Sequence, residues 1–206
     1  MKLITMTQIT VDGVMQGNGH ATPEELRSGF IRDGWAMGAF GDDTGQFITE
    51  TYQRAAAFLF GRRTYEMFHE TWGTNPQMRA HPIGVALDKA PKYVVSNSIS
   101  EPSWSPTTVL SRDITAAIHT LKDTAGGELQ VHGSGALIRW LLANDLIDEL
   151  VLLTVPVILG QGARLFPENG LDVALEVVDA HVDDRGVLVQ IYRSAGRPEY
   201  HPVRPE

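Results

Sequence analysis

The apolar residues of the chain fall into short runs that are separated by turn residues. Leu3 to Val11 is apolar and β-branched and ends at Asp12-Gly13, which predicts a first strand closed by a turn. Glu149 to Val155 is a nearly continuous apolar run that stops at Pro156, a pattern typical of a strand covered on both faces. Residues 16–48 contain seven glycines, and we expect them to form a long loop that covers an active site.

Helical and strand patterns alternate through the rest of the chain. The remaining predicted elements are helices over 49–57, 63–68, 113–122 and 136–142, and strands over 58–60, 92–95, 129–132, 175–178 and 187–192. The last two strands flank Asp183-Asp184-Arg185-Gly186, which is a hairpin signal. This order predicts an α/β fold: a mixed, mainly parallel twisted sheet with helices on both faces and a C-terminal antiparallel hairpin. We expect a single domain over 1–195 and a C-terminal tail over 196–206.

Composition and charge restrict the partners that we expect. The 206 residues are 43% hydrophobic and carry a formal net charge of -8, which argues against nucleic acid or an anionic membrane as the main partner. No segment approaches the roughly 20 apolar residues that span a bilayer, and the first residues do not resemble a signal peptide. We therefore expect a cytoplasmic protein. The absence of cysteine excludes thiolate metal sites, the seven histidines lack paired ligand spacing, and we predict no metal site.

Three predicted strand-to-helix junctions concentrate glycine, hydroxyl and arginine residues, and such junctions lie where α/β sheets bind ligands. At the first, Gly61 allows close backbone approach, Thr64 and the helix start offer donors, and Arg62-Arg63 adds positive charge. At the second, His132-Gly133-Ser134-Gly135 brings backbone N–H groups to a helix start that suits a pyrophosphate. The third is Val94-Val95-Ser96-Asn97-Ser98, a strand end whose polar side chains suit an adenosine ribose or its phosphate. Each junction also fits a structural reading, as a solvated helix start, an incomplete dinucleotide fingerprint or an ordinary turn.

The order of these segments resembles the dihydrofolate reductase superfamily, and within it the reductase domain of riboflavin biosynthesis and its stand-alone relatives. The segments are Thr10-Val11-Asp12-Gly13, Phe60-Gly61-Arg62-Arg63-Thr64-Tyr65-Glu66, Val94-Val95-Ser96, Val131-His132-Gly133-Ser134-Gly135 and Leu152-Leu153-Thr154-Val155-Pro156-Val157-Ile158-Leu159-Gly160-Gln161-Gly162. The resemblance runs from about Met1 to Tyr192. It implies an NADPH-dependent reductase that transfers hydride to a small heterocyclic, pterin- or pyrimidine-like substrate.

The resemblance also implies the residues that contact the cofactor. Arg62 would contact the 2′-phosphate and Ser96 the adenosine end, with Gly61, Arg63 and Thr64 near the pyrophosphate. Gln8 and Met15 would bracket the nicotinamide ring. The turn under the pyrophosphate and the nicotinamide ribose would consist of Gly133, Ser134, Gly135 and Ala136.

On the substrate side, the resemblance implies Asp12 and Thr154 as candidate catalytic residues, although Asp followed by Gly is also an ordinary turn. Folate reductases place an acid on the helix after the long loop. Glu50 lies on that element without a secure alignment, which argues against folate as the substrate. Tyr52 and Trp35 either stack on a flat ring or simply pack.

Three functions remain open from the sequence. The first is an NADPH-dependent reductase of a small heterocycle, and the second is the ribosylaminopyrimidine reductase of riboflavin biosynthesis itself. The third is a non-catalytic NADP-binding regulatory protein, which the missing acid favours. The apolar strands from Leu175 to Tyr192 further predict a homodimer, as in relatives of the riboflavin reductase domain.

Overall fold

Eight strands form one sheet in the part of the chain that the structure, a computed structural model, describes: residues 1–20 and 22–202. The strands are β1 (Lys2–Thr10), β2 (Ala55–Gly61), β3 (Lys92–Val95), β4 (Thr107–Leu110), β5 (Glu128–Val131), β6 (Glu149–Val155), β7 (Leu175–Val182) and β8 (Leu188–Ser194). The helices are α1 (Pro23–Arg27), α2 (Asp42–Gln53), α3 (Arg62–Phe68), α4 (Pro76–Ala80), α5 (Pro82–Lys89), α6 (Ile114–Asp123) and α7 (Gly135–Ala143), with a π-helix over His69–Thr74.

The strand order is β4-β3-β2-β5-β1-β6-β8-β7. Every neighbouring pair from β4 to β6 is parallel, whereas β8 is antiparallel to both β6 and β7. The predicted fold class is therefore confirmed, including the C-terminal antiparallel hairpin. Because β1, β2, β3, β5 and β6 run parallel, their carboxyl ends meet at one edge of the sheet.

Two apolar clusters cover the two faces of the sheet. On what we call the α2 face, Phe60 of β2 packs with Tyr52 of α2 and Leu87 of α5. On the α7 face, Val131 of β5 packs with Ile138 of α7. Alternate residues of each strand contribute to opposite faces, so the cluster that a residue joins also identifies the face of its strand neighbours.

The boundaries of α2 differ from the predicted helix over 49–57. The helix begins at Asp42, where Gly41 is extended and two acidic residues occupy the first turn, and it ends at Gln53. Gly45 lies inside the helix, and glycine lowers the helical preference of the segment in which the helix starts. Ala55, which was assigned to the helix, begins β2 because the sheet pairs it with Glu128 of β5.

Strand β4 and helices α4 and α5 were not predicted. A buried lysine organises this region: the Lys92 ammonium donates to the carbonyls of Leu87 (2.7 Å) and Ala90 (2.9 Å) and lies 4.7 Å from the Trp104 ring centroid. Burial lowers the pKa of Lys92 to about 8. The Lys92 side chain thereby links the last carbonyls of α5 to the start of β3.

The segment that follows β8 runs beside the segment that precedes β7. The Ala195 N–H donates to the Ala174 carbonyl (2.7 Å), and Arg197 binds the Asp172 carboxylate (2.7 Å). Residues 203–206 of the predicted tail lie outside the described residues.

Candidate active site

The turns that follow β2 and β5 touch each other at the carboxyl edge of the sheet. The Gly61 N–H donates to the Gly133 carbonyl (3.4 Å), and a Cβ on Gly61 would stand 2.5 Å from the Ser134 hydroxyl oxygen. A Cβ on Gly133, whose φ is +138°, would stand 2.9 Å from the Thr64 hydroxyl oxygen. The structure therefore brings these two predicted segments together. Glycine is required at both positions because a Cβ there would collide with the opposite turn.

The second turn leads directly into α7. Ser134 is the N-cap of this helix, and its hydroxyl accepts a hydrogen bond from the Leu137 N–H (3.4 Å). Gly135 and Ala136 precede Leu137 in the first turn of α7. Their N–H groups have no backbone acceptor within the helix. These two donors and the helix dipole point toward the edge where the Gly61 turn also lies.

The arginines of the first turn open helix α3. The Arg62 guanidinium binds both carboxylate oxygens of Glu66 at 3.1 Å, and both side chains are exposed. Arg63 is the second residue of the helix and is also exposed, whereas Thr64 is buried. Positive charge is thus available within one helical turn of Gly61.

Ser96 follows β3 and uses its hydroxyl to close its own turn. The oxygen accepts hydrogen bonds from the N–H groups of Ser98 and Ile99, both at 3.1 Å. In this arrangement Ser96 shapes the loop at the β3 end of the edge, which is the side away from β1.

The Asp12 carboxylate holds the loop that follows β6. It accepts hydrogen bonds from the Thr10 hydroxyl (2.6 Å) and from the N–H groups of Leu159 (3.1 Å) and Gly160 (2.8 Å). The Arg164 Nε donates to the Asp12 carbonyl (2.8 Å). The Thr10 hydrogen bond, supported by the backbone donors, lowers the pKa of Asp12 to about 2. At neutral pH the carboxylate is ionised, so it acts as an acceptor and has no proton to donate.

Thr154 and Gln8 lie on opposite faces of the sheet. Thr154 pairs with Ile9, a member of the α7-face cluster, and its hydroxyl donates to the Gln190 side-chain carbonyl (3.1 Å). Gln8 pairs with Leu153 of the α2-face cluster and accepts a hydrogen bond from the Asn18 side chain (2.9 Å). Thr154 therefore shares the α7 face with Met15, whereas Gln8 shares the α2 face with Tyr52.

Met15 lies on the α7 face beside the second glycine turn. Its N–H donates to the Ala163 carbonyl (2.9 Å), and its thioether occupies the space that a side chain on Gly135 would need. Met15 and Gly135, which were predicted to surround the same end of the cofactor, are thus neighbours.

The long glycine-rich segment is fastened to the loop after β6. The Gln16 side-chain carbonyl accepts a hydrogen bond from the Ala163 N–H (2.8 Å). The buried Phe30 ring lies against Gly17 and Gly162, whose φ values of +68° and +111° suit glycine. These contacts hold the segment next to the carboxyl edge, where the sequence predicted a cover.

Aromatic packing fills the α2 face behind the site. The His132 and Tyr52 rings stack with 4.0 Å between centroids and 9° between planes. Burial lowers the pKa of His132 to about 3 and raises the pKa of Tyr52, so both rings are neutral at pH 7. The Trp35 indole donates to the Gln16 carbonyl (2.8 Å) and packs against the same cluster. Tyr52 is therefore a buried packing residue, and Trp35 is half-buried against the same cluster.

Glu50 does not supply an acid to this face. It lies on the exposed side of α2, where it accepts a hydrogen bond from the Gln46 side chain (2.7 Å). Within residues 1–20 and 22–202, no group of three or more His, Asp or Glu side chains is arranged to hold a metal ion. Over the same range, no helix is long and apolar enough to cross a membrane.

The sequence reasoning missed two arginines near the site. Arg164 binds the Asp12 carbonyl, and Arg139 donates to the carbonyls of Arg164 (3.3 Å) and Leu165 (3.2 Å) beside the start of α7. Arg139 lies one turn after Gly135 on a helix that was predicted, so helical spacing could have pointed to it.

The strand order, together with the paired glycine turns at the carboxyl edge, defines a dihydrofolate reductase-like α/β fold. The family model of the RibD C-terminal domain matches residues 1–189, and the chain therefore belongs to that family. This confirms the predicted relationship to the reductase domain of riboflavin biosynthesis within the dihydrofolate reductase superfamily.

Several known proteins are similar to this chain in sequence or in fold. The uncharacterized protein YyaP of Bacillus subtilis is 23% identical over 201 residues, which cover 95% of this chain and 96% of the relative. A candidate riboflavin biosynthesis protein from Shewanella sp. PV-4 has a similar structure, with a TM-score of 0.71 and 22% identity over 94% of this chain and 99% of the other. Dihydrofolate reductase from Enterococcus faecalis, complexed with NADP(H), gives a TM-score of 0.58 and 15% identity over 94% and 96% of the two chains.

Proposed function

We propose that this protein is an NADPH-dependent reductase of a small heterocyclic substrate. The observation that carries the proposal is the contact between the two glycine turns, because Gly61 and Gly133 meet within 3.4 Å at the edge where α/β sheets bind nucleotides. A side chain on either glycine would collide with the opposite turn, so glycine at both positions allows the two turns to meet at this edge.

The residues present fit a phosphorylated dinucleotide. The N–H groups of Gly135 and Ala136, with Thr64 and Arg63, would hold the pyrophosphate, because a helix start and cationic side chains both favour anions. Arg62 would release the Glu66 carboxylate and bind the 2′-phosphate instead. Ser96 would lie beside the adenosine. When bound, the cofactor supplies the hydride.

The substrate would lie toward Gln8 and the aromatic α2 face. Asp12 would position the loops after β1 and β6 rather than deliver a proton, since it is ionised and accepts three hydrogen bonds. Thr154 would stabilise the end of β6 through its hydrogen bond to Gln190 rather than contact the substrate. A small conjugated heterocycle is the substrate class that the relationship to the reductase domain of riboflavin biosynthesis favours.

The test is binding of NADPH, measured by nicotinamide fluorescence and by thermal shift, with NADH in parallel. Arg62→Gln should raise the Kd for NADPH about tenfold, because a charge-assisted hydrogen bond to phosphate is lost, and should change the Kd for NADH much less. Arg79→Gln is the matched control, since Arg79 also forms an exposed ion pair at 3.1 Å, with Asp88, away from this edge. Absence of NADPH binding by the wild-type protein would refute the proposal.

Two alternatives make different predictions. A ribosylaminopyrimidine reductase, which the family assignment favours, should restore growth of a riboflavin auxotroph that lacks this activity. A non-catalytic NADP-binding regulatory protein should bind NADPH but oxidise none of it across a panel of pterins, pyrimidines and other conjugated heterocycles.

We also propose that the protein forms a homodimer through β7. All eight residues of this edge strand are exposed, among them Leu175, Val177, Val178 and Val182. An apolar edge strand with unpaired backbone groups is complementary to a second copy of itself. Light scattering at several concentrations should give twice the mass of the chain, and Val177→Lys should reduce it to that of a monomer.

A further inference from the structure

Two threonines of β1 bury hydroxyl groups that lack partners. Thr5 is 0% and Thr7 is 4% exposed, and neither hydroxyl oxygen has a hydrogen-bond partner among the residues that the structure describes. Buried hydroxyls are normally paired, because an unpaired one costs the free energy of its lost hydration. Both side chains point to the α7 face, since positions 3, 5, 7 and 9 of a strand share one face and Leu3 and Ile9 belong to that cluster.

The two positions differ in their surroundings. Thr5 lies between strand neighbours with large apolar side chains, Val131 of β5 and Leu150 of β6. Thr7 has such a neighbour only on the β6 side, where it pairs with Leu152. Strand β5 has ended at Val131, and continuing its register by two residues sets Thr7 opposite Gly133.

Thr7 therefore lies beside the glycine turn that follows β5, on the face where this turn enters α7, while β1 continues beyond it to Thr10. Two side chains pack over this turn: the Thr64 hydroxyl lies against Gly133, and the Met15 thioether lies against Gly135. Met15 also packs against the α7-face cluster to which the neighbours of Thr7 belong. Methionine is flexible and unbranched, so its displacement by a ligand would cost little.

We propose that the Thr7 hydroxyl is a ligand-binding group for the nicotinamide–ribose end of the dinucleotide. It would form a hydrogen bond with a ribose hydroxyl or with the carboxamide, and the buried oxygen would then gain the partner that it lacks. This inference rests on the proposed function, because it assigns a contact within the same site. The Thr5 hydroxyl is buried in the same way but lies deeper in the sheet, and it has no such role.

Thr7→Val, which removes the hydroxyl and keeps the shape, provides the test, and Thr5→Val is its matched control. Both variants should raise the Tm of the free protein by about 2–4 °C, since each removes an unpaired buried hydroxyl. Only Thr7→Val should raise the Kd for NADPH, by about three- to tenfold. Adenosine 2′,5′-bisphosphate, which lacks the nicotinamide–ribose end, should bind the wild-type protein and both variants equally. Thr7→Ser, which keeps the hydroxyl, should bind NADPH like the wild-type protein.

Unchanged NADPH affinity in Thr7→Val would overturn the inference while leaving the proposed function intact. An equal loss of affinity for NADPH and for the bisphosphate would also overturn it, because general damage to the site would then explain the result. If the wild-type protein bound neither compound, the proposed function would fail, and this assignment with it.

Discussion

Replacing Asp12 by Asn tests the bracing role of the carboxylate at the edge of the sheet. The substitution keeps the size of the side chain, removes its charge and replaces one acceptor oxygen by a donor nitrogen. That nitrogen would face one of the donors that the carboxylate now accepts from, which are the Thr10 hydroxyl and the N–H groups of Leu159 and Gly160. We therefore expect the loop after β6 to lose part of its attachment to β1.

The pKa of Asp12 sets the size and the sign of the effect. It falls from its ordinary value of 3.8 to about 2 in the folded protein, and each pKa unit corresponds to about 1.4 kcal/mol, so the upper limit is about 2.4 kcal/mol. Because 17% of the side chain is exposed, solvent screening reduces the expected value to about 1–2 kcal/mol. The folded pKa lies below the unfolded one, so the stabilisation is complete above about pH 5 and is lost as the pH falls through 4 toward 2.

Urea unfolding of the wild-type protein and of Asp12→Asn at pH 7 and at several values between pH 4 and 2 measures this difference. The variant should be less stable by about 1–2 kcal/mol at pH 7, and the gap should close as the pH approaches 2. Asp123→Asn is the control for loss of one negative charge, because Asp123 is exposed at the end of α6. A gap that is independent of pH would refute the electrostatic reasoning.

Three further substitutions test separate parts of the structure. Lys92→Met should lower the free energy of unfolding in urea by about 1–3 kcal/mol, because the carbonyls at the end of α5 lose their buried donor; an unchanged midpoint would contradict this. Gly45→Ala should raise the free energy of unfolding by about 0.5–1 kcal/mol, since an added Cβ would meet nothing within 4 Å inside α2. A lower Tm would argue against the placement of Gly45 inside this helix. His132→Phe should leave the pH dependence of NADPH binding between pH 5.5 and 8 unchanged, because burial lowers the pKa of His132 to about 3; a profile that differs between the two proteins would show that the ring titrates there.

The elements that the sequence predicted well carry their boundary signals locally. The strand over Glu149–Val155 was predicted with its observed limits because Pro156 follows it directly, and the strand over Lys92–Val95 was also predicted with its observed limits. The start of α2 was missed because Gly45 lies within its first turns. Strand β4 is only four residues long and exists through its pairing with β3, which no local pattern encodes.

The candidate site also combines features that the local sequence predicts with features that depend on distant partners. Close backbone approach requires glycine at the position itself, so the turns at Gly61 and Gly133 were visible in the sequence. The role of Asp12 depends on N–H groups at Leu159 and Gly160, which are separated from it by 147 and 148 residues. The face on which Thr154 lies depends on its pairing with Ile9 in the sheet. Such partners become known only when the strands are in register.

The protonation states around the edge bear on the chemistry that the proposed reductase can perform. Asp12 is ionised because its hydrogen bonds favour the carboxylate, His132 is neutral because desolvation disfavours its charged form, and Glu50 lies on the exposed side of α2. None of these three groups is suited to give a proton to a substrate that lies toward the α2 face at neutral pH. Hydride transfer to the carbon of a ring C=N bond leaves a negative charge on nitrogen that a proton must neutralise, and water can supply this proton where none of these three groups does. A substrate whose nitrogen is already basic enough to be protonated in water satisfies that requirement, and the rate of its reduction should follow the pKa of the substrate rather than that of any of these side chains.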